Sequence, residues 1–330
     1  MASKFNVPLI PLSNGYVIPS LGFGTFEPGV GPAFKNAIRS ALDAGYRYFD
    51  TAEYYRNESE IGDVLQEYYD AGKLKREDIY LTTKLPHYGH SEPGRHIEES
   101  LKRLRTDYID LYLIHWPTSN KKNPNAEEGI KKEDGTYIPD LTPHIDVWRT
   151  FEKYYNDGKL KALGVSNFNA EQLQDLYDKA TVKPHNLQVE CHILFPQKEM
   201  FALTKKLNMA FTAYAPIGSP GRGVFMPKEG MVAGDPLKHP LTLKFAEKYN
   251  KTPAQILIRQ IVQRGISAIP KSTKAPRIVE NFNVFDFELT PEEMGEFDAL
   301  PEEKRLFVFA QVKNHPWHPF PKDVAEVTGQ

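Results

Sequence analysis

Eight short apolar runs alternate with eight longer amphipathic stretches, and this alternation is the feature that most restricts the fold of the chain. The runs are almost continuously apolar, as is typical of parallel strands that are buried on both faces. They lie at residues 21–25, 46–50, 79–84, 108–115, 161–167, 186–190, 209–214 and 266–271. The stretches of helical period lie at 32–44, 59–72, 94–105, 143–157, 170–180, 197–207, 238–263 and 275–282. The pattern predicts an α/β fold of the (β/α)8 TIM-barrel type.

The alternative is a doubly wound parallel sheet, which also alternates strands with helices. That fold usually carries a GxGxxG motif between its first strand and its first helix. The corresponding turn, residues 22–27, reads GFGTFE and lacks the third glycine. The sequence therefore favours the barrel.

The segments outside the repeat predict how the barrel is completed. We interpret residues 1–330 as one barrel domain, since barrels often reach this length. Asn14-Gly15 lies between two apolar flanks, which predicts a β-hairpin within residues 1–20 that caps the bottom of the barrel. We expect the long loops and the aromatic, proline-rich tail at 301–330 to lie at the active-site face.

Composition and charge exclude several classes of protein. Lys and Arg number 41 against 43 Asp and Glu, a balance that argues against nucleic-acid binding. The single cysteine, Cys191, makes no intrachain disulfide and excludes a cysteine-rich zinc site. The chain shows neither a signal-peptide pattern nor an apolar run of about 18 residues. We expect a cytoplasmic protein with no metal centre and no membrane association.

Polar residues end most of the apolar runs, where a barrel places its active site. These residues are Asp50, Lys84, His115, Ser166, Asn167, Gln188, Glu190, Tyr214, Lys271 and Ser272. Because the carboxyl ends of the strands meet on one face, residues far apart in sequence are expected to lie together there. Tyr55, five positions after Asp50, is expected to join them.

Tyr55, Lys84, Asp50 and His115 form a set that could reduce a carbonyl group. A phenol has a pKa near 10, and a neighbouring Lys84 ammonium would lower it. Asp50 would supply the counter-charge, and His115 could donate a hydrogen bond to a carbonyl oxygen. The set could therefore polarise a carbonyl and protonate the alkoxide formed by hydride attack. The alternative for Lys84 is a Schiff-base lysine in an isomerase or lyase barrel.

Six ordered motifs resemble those of the aldo-keto reductases, in particular the aldose and aldehyde reductase branch. They are GYRYFDTAEYYRNE (45–58), LTTK (81–84), DLYLIHWP (110–117), GVSNF (164–168), QVECH (188–192) and IPKS (269–272). The resemblance covers about residues 8–290. It implies a monomeric enzyme that transfers hydride from NADPH to a small carbonyl substrate. It also implies a catalytic tetrad with Tyr55 as the general acid. His115 points to reduction of carbonyl groups, because relatives that reduce steroid double bonds carry Glu there.

The resemblance also implies where the cofactor NADP(H) binds. The implied cofactor-binding residues are Thr25, Ser166, Asn167, Gln188, Tyr214, Pro216, Gly218, Ser219, Lys271, Ser272, Arg277, Glu280 and Asn281. Within this set, Ser166, Asn167 and Gln188 would hold the nicotinamide carboxamide. Tyr214 would stack on the nicotinamide ring, and the loop from Pro216 to Ser219 would form a strap over the pyrophosphate. The 2′-phosphate would lie against Lys271, Ser272 and Arg277, and the adenine end near Glu280 and Asn281. A preference for NADPH follows because two cations would neutralise the 2′-phosphate.

The chain departs from the family pattern around the expected substrate pocket. Phe26 stands where many relatives carry Trp, Glu27 where Lys often follows, and Pro86 where several aldose reductases have Trp. Phe26, Trp116 and Trp317 are the candidate pocket residues. A cofactor-sensing or structural role, known for some relatives, is the alternative to an enzyme.

Overall fold

The structure is a computed structural model that describes residues 5–27, 30–222 and 234–328. Its strands are β1 (Leu9–Pro11), β2 (Val17–Pro19), β3 (Phe23–Gly24), β4 (Tyr48–Asp50), β5 (Tyr80–Leu85), β6 (Leu111–Ile114), β7 (Ser119–Asn120), β8 (Pro139–Asp140), β9 (Leu163–Ser166), β10 (Asn186–Glu190), β11 (Ala210–Tyr214) and β12 (Ser267–Ala268). Its helices are α1 (Pro32–Ala44), α2 (Glu58–Asp70), α3 (Pro93–Arg103), α4 (His144–Asn156), α5 (Ala170–Lys179), α6 (Lys198–Lys206), α7 (Pro240–Tyr249), α8 (Pro253–Gln263), α9 (Ala275–Phe282), α10 (Pro291–Asp298) and α11 (Pro321–Thr328).

Eight parallel strands form the barrel, which confirms the predicted fold. The hydrogen-bonded order is β3, β4, β5, β6, β9, β10, β11 and β12. A parallel bridge between Leu21 and Ala268 joins the first strand region to the last and closes the sheet. All residues of the central strands are buried, as expected of strands covered on both faces. Each predicted apolar run overlaps one of these strands.

The predicted helical stretch 238–263 is wrong as a single helix, because it forms α7 and α8. The chain turns at Asn250, whose φ of 51° is left-handed and ends α7. Thr252 then starts α8: its side chain accepts a hydrogen bond from the Gln255 backbone, and the Gln255 side chain accepts one from Thr252. Pro253 at the first helical position favours the same start. Thr252 and Gln255 thus form a capping box, so the sequence itself carried the signal that a new helix starts there.

The amino-terminal hairpin lies at the bottom of the barrel, as predicted. Strands β1 and β2 pair in antiparallel fashion. The side chain of Asn14 in the turn donates to the Lys161 carbonyl, 3.0 Å away and just before β9 begins. Phe5 packs edge-on against Tyr80, the first residue of β5, with ring centroids 6.4 Å apart. Both contacts are to amino-terminal ends of barrel strands.

The opposite face carries the long loop after β6 and the carboxyl-terminal tail. Strands β7 and β8 pair within that loop. Residues 223–233 of the second long loop, residues 1–4 before the hairpin and residues 329–330 of the tail lie outside the described residues. Within the described ranges, every helix is too short or too polar to cross a membrane.

Candidate active site

A buried ion pair lies at the carboxyl ends of β4 and β5. The Lys84 ammonium lies 2.5 Å from Asp50 Oδ1 and donates a second hydrogen bond to the Thr51 carbonyl at 2.8 Å. The two side chains are 0% and 3% exposed. Burial raises the pKa of Asp50 and lowers the pKa of Lys84, while their mutual attraction opposes both shifts. The pair thus places a fixed cation and its counter-charge inside the barrel mouth.

Tyr55 lies on a single helical turn, Glu53–Tyr55, that follows β4. Arg56 ends this turn with a left-handed φ of 56°. Asn57 pins the segment to the barrel, because its side chain accepts from Thr51 at 2.7 Å and donates to the Thr25 carbonyl at 2.8 Å. The Lys84 ammonium is 5.2 Å from the centre of the Tyr55 ring.

The expectation that Lys84 lowers the pKa of Tyr55 is wrong. Burial raises the pKa of Tyr55 well above its usual value, and Asp50 raises it further. The physical reason is that burial of the phenol and the charge of Asp50 outweigh the attraction of the Lys84 ammonium, which is paired with Asp50. Tyr55 therefore keeps its proton at neutral pH.

His115 follows β6 and faces Tyr55, with the two ring centroids 5.6 Å apart. Burial lowers the pKa of His115 well below its usual value, and the charges of Lys84 and His87 lower it further. The imidazole is therefore neutral at physiological pH. A neutral ring can donate a hydrogen bond to an oxygen atom but carries no extra proton to give away.

A network of amide and hydroxyl groups lies next to the ion pair. Asn167 adopts a left-handed φ of 62° directly after β9. Its side-chain nitrogen donates to the His115 carbonyl at 3.0 Å and to Ser166 Oγ at 3.2 Å, and its side-chain oxygen accepts from the Tyr214 hydroxyl at 2.8 Å. The structure thus brings together Ser166, Asn167 and Tyr214, the ends of β9 and β11.

Gln188 and Thr25 contact Asp50 directly. The Gln188 side chain donates to Asp50 Oδ2 at 2.7 Å, and the Thr25 hydroxyl donates to the Asp50 carbonyl at 2.9 Å. The hydrogen bond from Gln188 to Asp50 was not foreseen, because the family resemblance related Gln188 only to the nicotinamide carboxamide.

The loop after β11 has an unusual backbone. Ala215, Gly218 and Ser219 have positive φ values of 50°, 77° and 46°. Pro216 is buried, and the Arg222 guanidinium donates to the Gly218 carbonyl at 2.7 Å, which fixes the loop from behind. Residues with left-handed φ direct successive backbone N–H groups into the concave side of a loop, where they can bind an anion.

A second group of predicted residues lies after β12 and on α9. Lys271 forms an ion pair with Glu27, and Ser272 accepts a hydrogen bond from the Lys274 backbone at 3.1 Å. Arg277 is exposed on the first turns of α9 and has no ion-pair partner among the described residues. On the same helix Glu280 is half-buried and Asn281 is buried.

Comparison with known proteins identifies the family. The model described as "Aldo/keto reductase family" matches residues 20–302. The chain belongs to the aldo/keto reductase family. Aldo-keto reductase family 1 member A1 from Gallus gallus is 42% identical over an alignment of 327 residues that covers 94% of this chain and 97% of that protein. The protein of the same name from Bos taurus is 40% identical over 325 residues, again 94% and 97%.

A solved structure agrees with this assignment. The structure described as the aldose reductase from Schistosoma japonicum has a TM-score of 0.85 and 37% sequence identity. The match covers 96% of this chain and 99% of that one. As an aldo/keto reductase, this chain is an NADP-dependent oxidoreductase that acts on carbonyl groups.

Aromatic side chains surround the mouth of this aldo/keto reductase. The ring centroid of Phe26 is 4.9 Å from that of Tyr55. Trp116 packs on Phe309 at 5.1 Å, and Phe309 packs on His87 at 5.2 Å. Phe309 and His87 were missed in the sequence, because a tail residue and a loop residue carry no periodic signal.

The structure does not bring Trp317 to the tetrad of this aldo/keto reductase. Its ring packs on His144 at 5.2 Å, and its carbonyl accepts from the Gln172 side chain at 2.9 Å. These contacts fasten the tail to α4 and α5.

Glu190, the last residue of β10, binds the tail of this aldo/keto reductase. Its carboxylate is fully buried and accepts the backbone N–H groups of Leu306 at 2.8 Å and Phe307 at 3.0 Å. Phe307 in turn meets the Tyr214 ring edge-on, with centroids 5.5 Å apart. The tail is therefore linked to the same network that contains Asn167.

Proposed function

We propose that the protein reduces aldehydes and ketones to alcohols with NADPH and that Tyr55 is the proton donor. The observation that carries the proposal is the position of Tyr55 between the buried Lys84–Asp50 pair and the neutral His115 ring. When bound, NADPH supplies a hydride to the carbonyl carbon. The residues of the chain then have to orient the carbonyl and protonate its oxygen.

Each member of the tetrad has a separate part in that proton transfer. His115 donates a hydrogen bond to the substrate oxygen, which its neutral state allows. Tyr55 gives the phenolic proton to the same oxygen as the alkoxide forms. Lys84 stabilises the resulting phenolate, and Asp50 keeps the ammonium in place.

The chemistry of the surrounding residues fits NADP(H). Ser166, Asn167 and Gln188 offer amide and hydroxyl groups suited to a carboxamide, and Tyr214 offers a ring of nicotinamide size. The loop of Pro216, Gly218 and Ser219 offers backbone N–H groups suited to a pyrophosphate. Lys271 and Ser272 lie just before α9 and Arg277 lies on its first turn, where the helix dipole also favours a phosphate. Glu280 and Asn281 would then face the adenosine.

The substrates we propose are apolar carbonyl compounds, because Phe26, Trp116 and Phe309 present aromatic surface at the mouth. We further expect a monomer that acts in the cytoplasm.

The test is cofactor consumption, followed by absorbance, with NADPH and with NADH against a panel of aliphatic and aromatic aldehydes and ketones. We expect faster turnover with NADPH and the highest kcat/KM for apolar aldehydes. Tight NADPH binding without turnover on any carbonyl would contradict the proposal and favour a sensing role. Trapping of a carbonyl compound on Lys84 by borohydride would favour a Schiff-base enzyme.

A further inference from the structure

Glu27 and Lys271 form an ion pair across the seam where the barrel closes. Glu27 lies three residues after β3, and Lys271 lies three residues after β12. The two segments are joined by a backbone hydrogen bond from Gly24 to Pro270 at 3.0 Å. The side chains are 24% and 33% exposed, so the pair is partly screened from water. The backbone thus holds the two charged groups opposite each other.

The carboxylate of Glu27 is paired with the Lys271 ammonium, which in the proposed function binds the 2′-phosphate of the cofactor. A 2′-phosphate and a carboxylate are both anions that bind an ammonium through charged hydrogen bonds. Lys271 cannot bind both at full strength, and the two anions would repel each other. Arg277 has no ion-pair partner among the described residues, so it does not compensate Glu27.

We propose that Glu27 is a specificity-determining residue, which competes with the cofactor's 2′-phosphate for Lys271 and so narrows the preference for NADPH over NADH. This inference rests on the proposed function, because it needs Lys271 to face the 2′-phosphate. NADH has no phosphate at that position, so its binding does not require Glu27 to release Lys271. The chain is therefore expected to discriminate less between the two cofactors than a chain without this carboxylate.

The direction of the effect follows from the competition. Glu27→Gln removes the charge and keeps the size of the side chain, which frees the Lys271 ammonium. Partly exposed ion pairs contribute up to about 1 kcal/mol, so we expect NADPH to bind up to about fivefold more tightly. Because NADH has no 2′-phosphate to bind Lys271, we expect its affinity to change less than about twofold.

The experiment is calorimetric titration of the wild type, Glu27→Gln, Lys271→Met and the double variant with NADPH, NADH and adenosine 2′,5′-bisphosphate. The bisphosphate carries the 2′-phosphate without the nicotinamide, so it reports on the phosphate site apart from activity. Glu296→Gln is the matched control. Glu296 lies on α10, and its carboxylate is 2.6 Å from the Lys244 ammonium on α7. The control therefore removes the same charge and also breaks a Lys–Glu ion pair.

The expected result is tighter binding of NADPH and of the bisphosphate in Glu27→Gln only, and loss of this gain when Lys271 is also Met. If Lys271→Met weakens NADPH but Glu27→Gln leaves the NADPH-to-NADH ratio unchanged or lower, the inference is wrong and the phosphate site stands. If neither change alters the ratio, both the inference and the assignment of Lys271 to the 2′-phosphate are wrong.

Discussion

The side-chain amide of Gln188 donates a hydrogen bond to Asp50 across the barrel mouth, with Nε2 and Oδ2 2.7 Å apart. Asp50 uses its other oxygen for Lys84, so the carboxylate is held from two sides. Gln188 is thereby a positioning residue for the ion pair, in addition to its expected contact with the nicotinamide carboxamide.

Replacing Gln188 with Met should remove the hydrogen bond that its amide donates to the buried Asp50 Oδ2. Loss of that hydrogen bond raises the pKa of Asp50 and weakens its hold on Lys84. A buried polar group that loses its partner costs about 1–3 kcal/mol, so we expect unfolding at lower denaturant concentration and a lower kcat. Gln174→Met is the control, since it removes an exposed Gln–Asp hydrogen bond of 2.8 Å. Equal kcat in wild type and Gln188→Met would refute the positioning role.

Replacing Glu190 with Gln should loosen the carboxyl-terminal tail. An amide offers only one acceptor oxygen, and its NH2 group would lie against the Leu306 N–H in either orientation, because that N–H contacts both carboxylate oxygens. We expect a stability loss of about 1–3 kcal/mol, faster hydrogen exchange over residues 305–320 and a raised KM for bulky aldehydes.

A matched control for this prediction is Glu152→Gln on α4. Glu152 also accepts two successive backbone N–H groups, from Thr181 at 2.6 Å and Val182 at 2.9 Å, but far from the tail. Both N–H groups bind one oxygen, Oε1, so the amide can keep these hydrogen bonds and loses the charge that faces Arg149, while exchange in the tail and KM should stay unchanged. If Glu190→Gln and Glu152→Gln raise hydrogen exchange in the tail equally, the effect of Glu190→Gln arises from global destabilisation and not from its contact with the tail.

Replacing Gly218 with Ala should distort the loop that follows β11. The φ of 77° is strained for a residue with a side chain, and the added Cβ would lie 2.5 Å from the Pro236 ring. Because the pyrophosphate is common to both cofactors, we expect NADPH and NADH to bind more weakly by a similar factor, about tenfold for a strain of about 1.4 kcal/mol. Gly221→Ala is the control, since a Cβ there meets nothing within 4 Å. If Gly218→Ala binds both cofactors as tightly as the wild type does, the loop after β11 does not bind the pyrophosphate.

Lowering the pH should destabilise the protein through His185. Burial lowers the pKa of His185 to about 4, and the Leu163 backbone donates to its Nδ1 at 2.9 Å. The unfolded chain binds the proton more tightly, so this stabilisation is complete above about pH 6.5 and is lost as the pH falls towards 4.

Denaturant unfolding at pH 7.5 and pH 5.0 measures this contribution. In His185→Asn, which keeps an acceptor, the difference between the two pH values should shrink by about 2 kcal/mol. His239→Asn is the control, because His239 is only half-buried although its Nδ1 also accepts a backbone N–H at 3.2 Å. An unchanged pH dependence in His185→Asn would show that other groups carry the acid sensitivity.

The barrel and the residues at its strand ends could be predicted because both depend on local patterns. Continuous apolar runs indicate buried parallel strands, and the residue that ends each run necessarily lies at the active-site face. Asp50, Lys84 and His115 were placed by this reasoning alone. The split between α7 and α8 was also encoded locally, in Asn250 and the Thr252 capping box, but the apolar period continued across it.

The contacts between distant segments could not be predicted in this way. The tail binds Glu190 across more than a hundred residues, and Phe309 reaches the mouth from a segment without periodicity. The pKa of Tyr55 depends on how deeply the phenol is buried and on how near it lies to Asp50, and both are matters of packing. The pairing of Glu27 with Lys271 likewise requires the closed barrel.

The central claim is that Tyr55 donates the proton in carbonyl reduction, and Tyr55→Phe tests it most directly. The change removes one hydroxyl group and keeps the ring that packs on Phe26 and His115. General acid catalysis is worth about 10²–10⁴-fold, so kcat with an aromatic aldehyde should fall by at least that factor. NADPH affinity, measured by fluorescence quenching, should stay within about twofold of the wild type. A Tyr55→Phe variant that retains wild-type kcat would contradict the account.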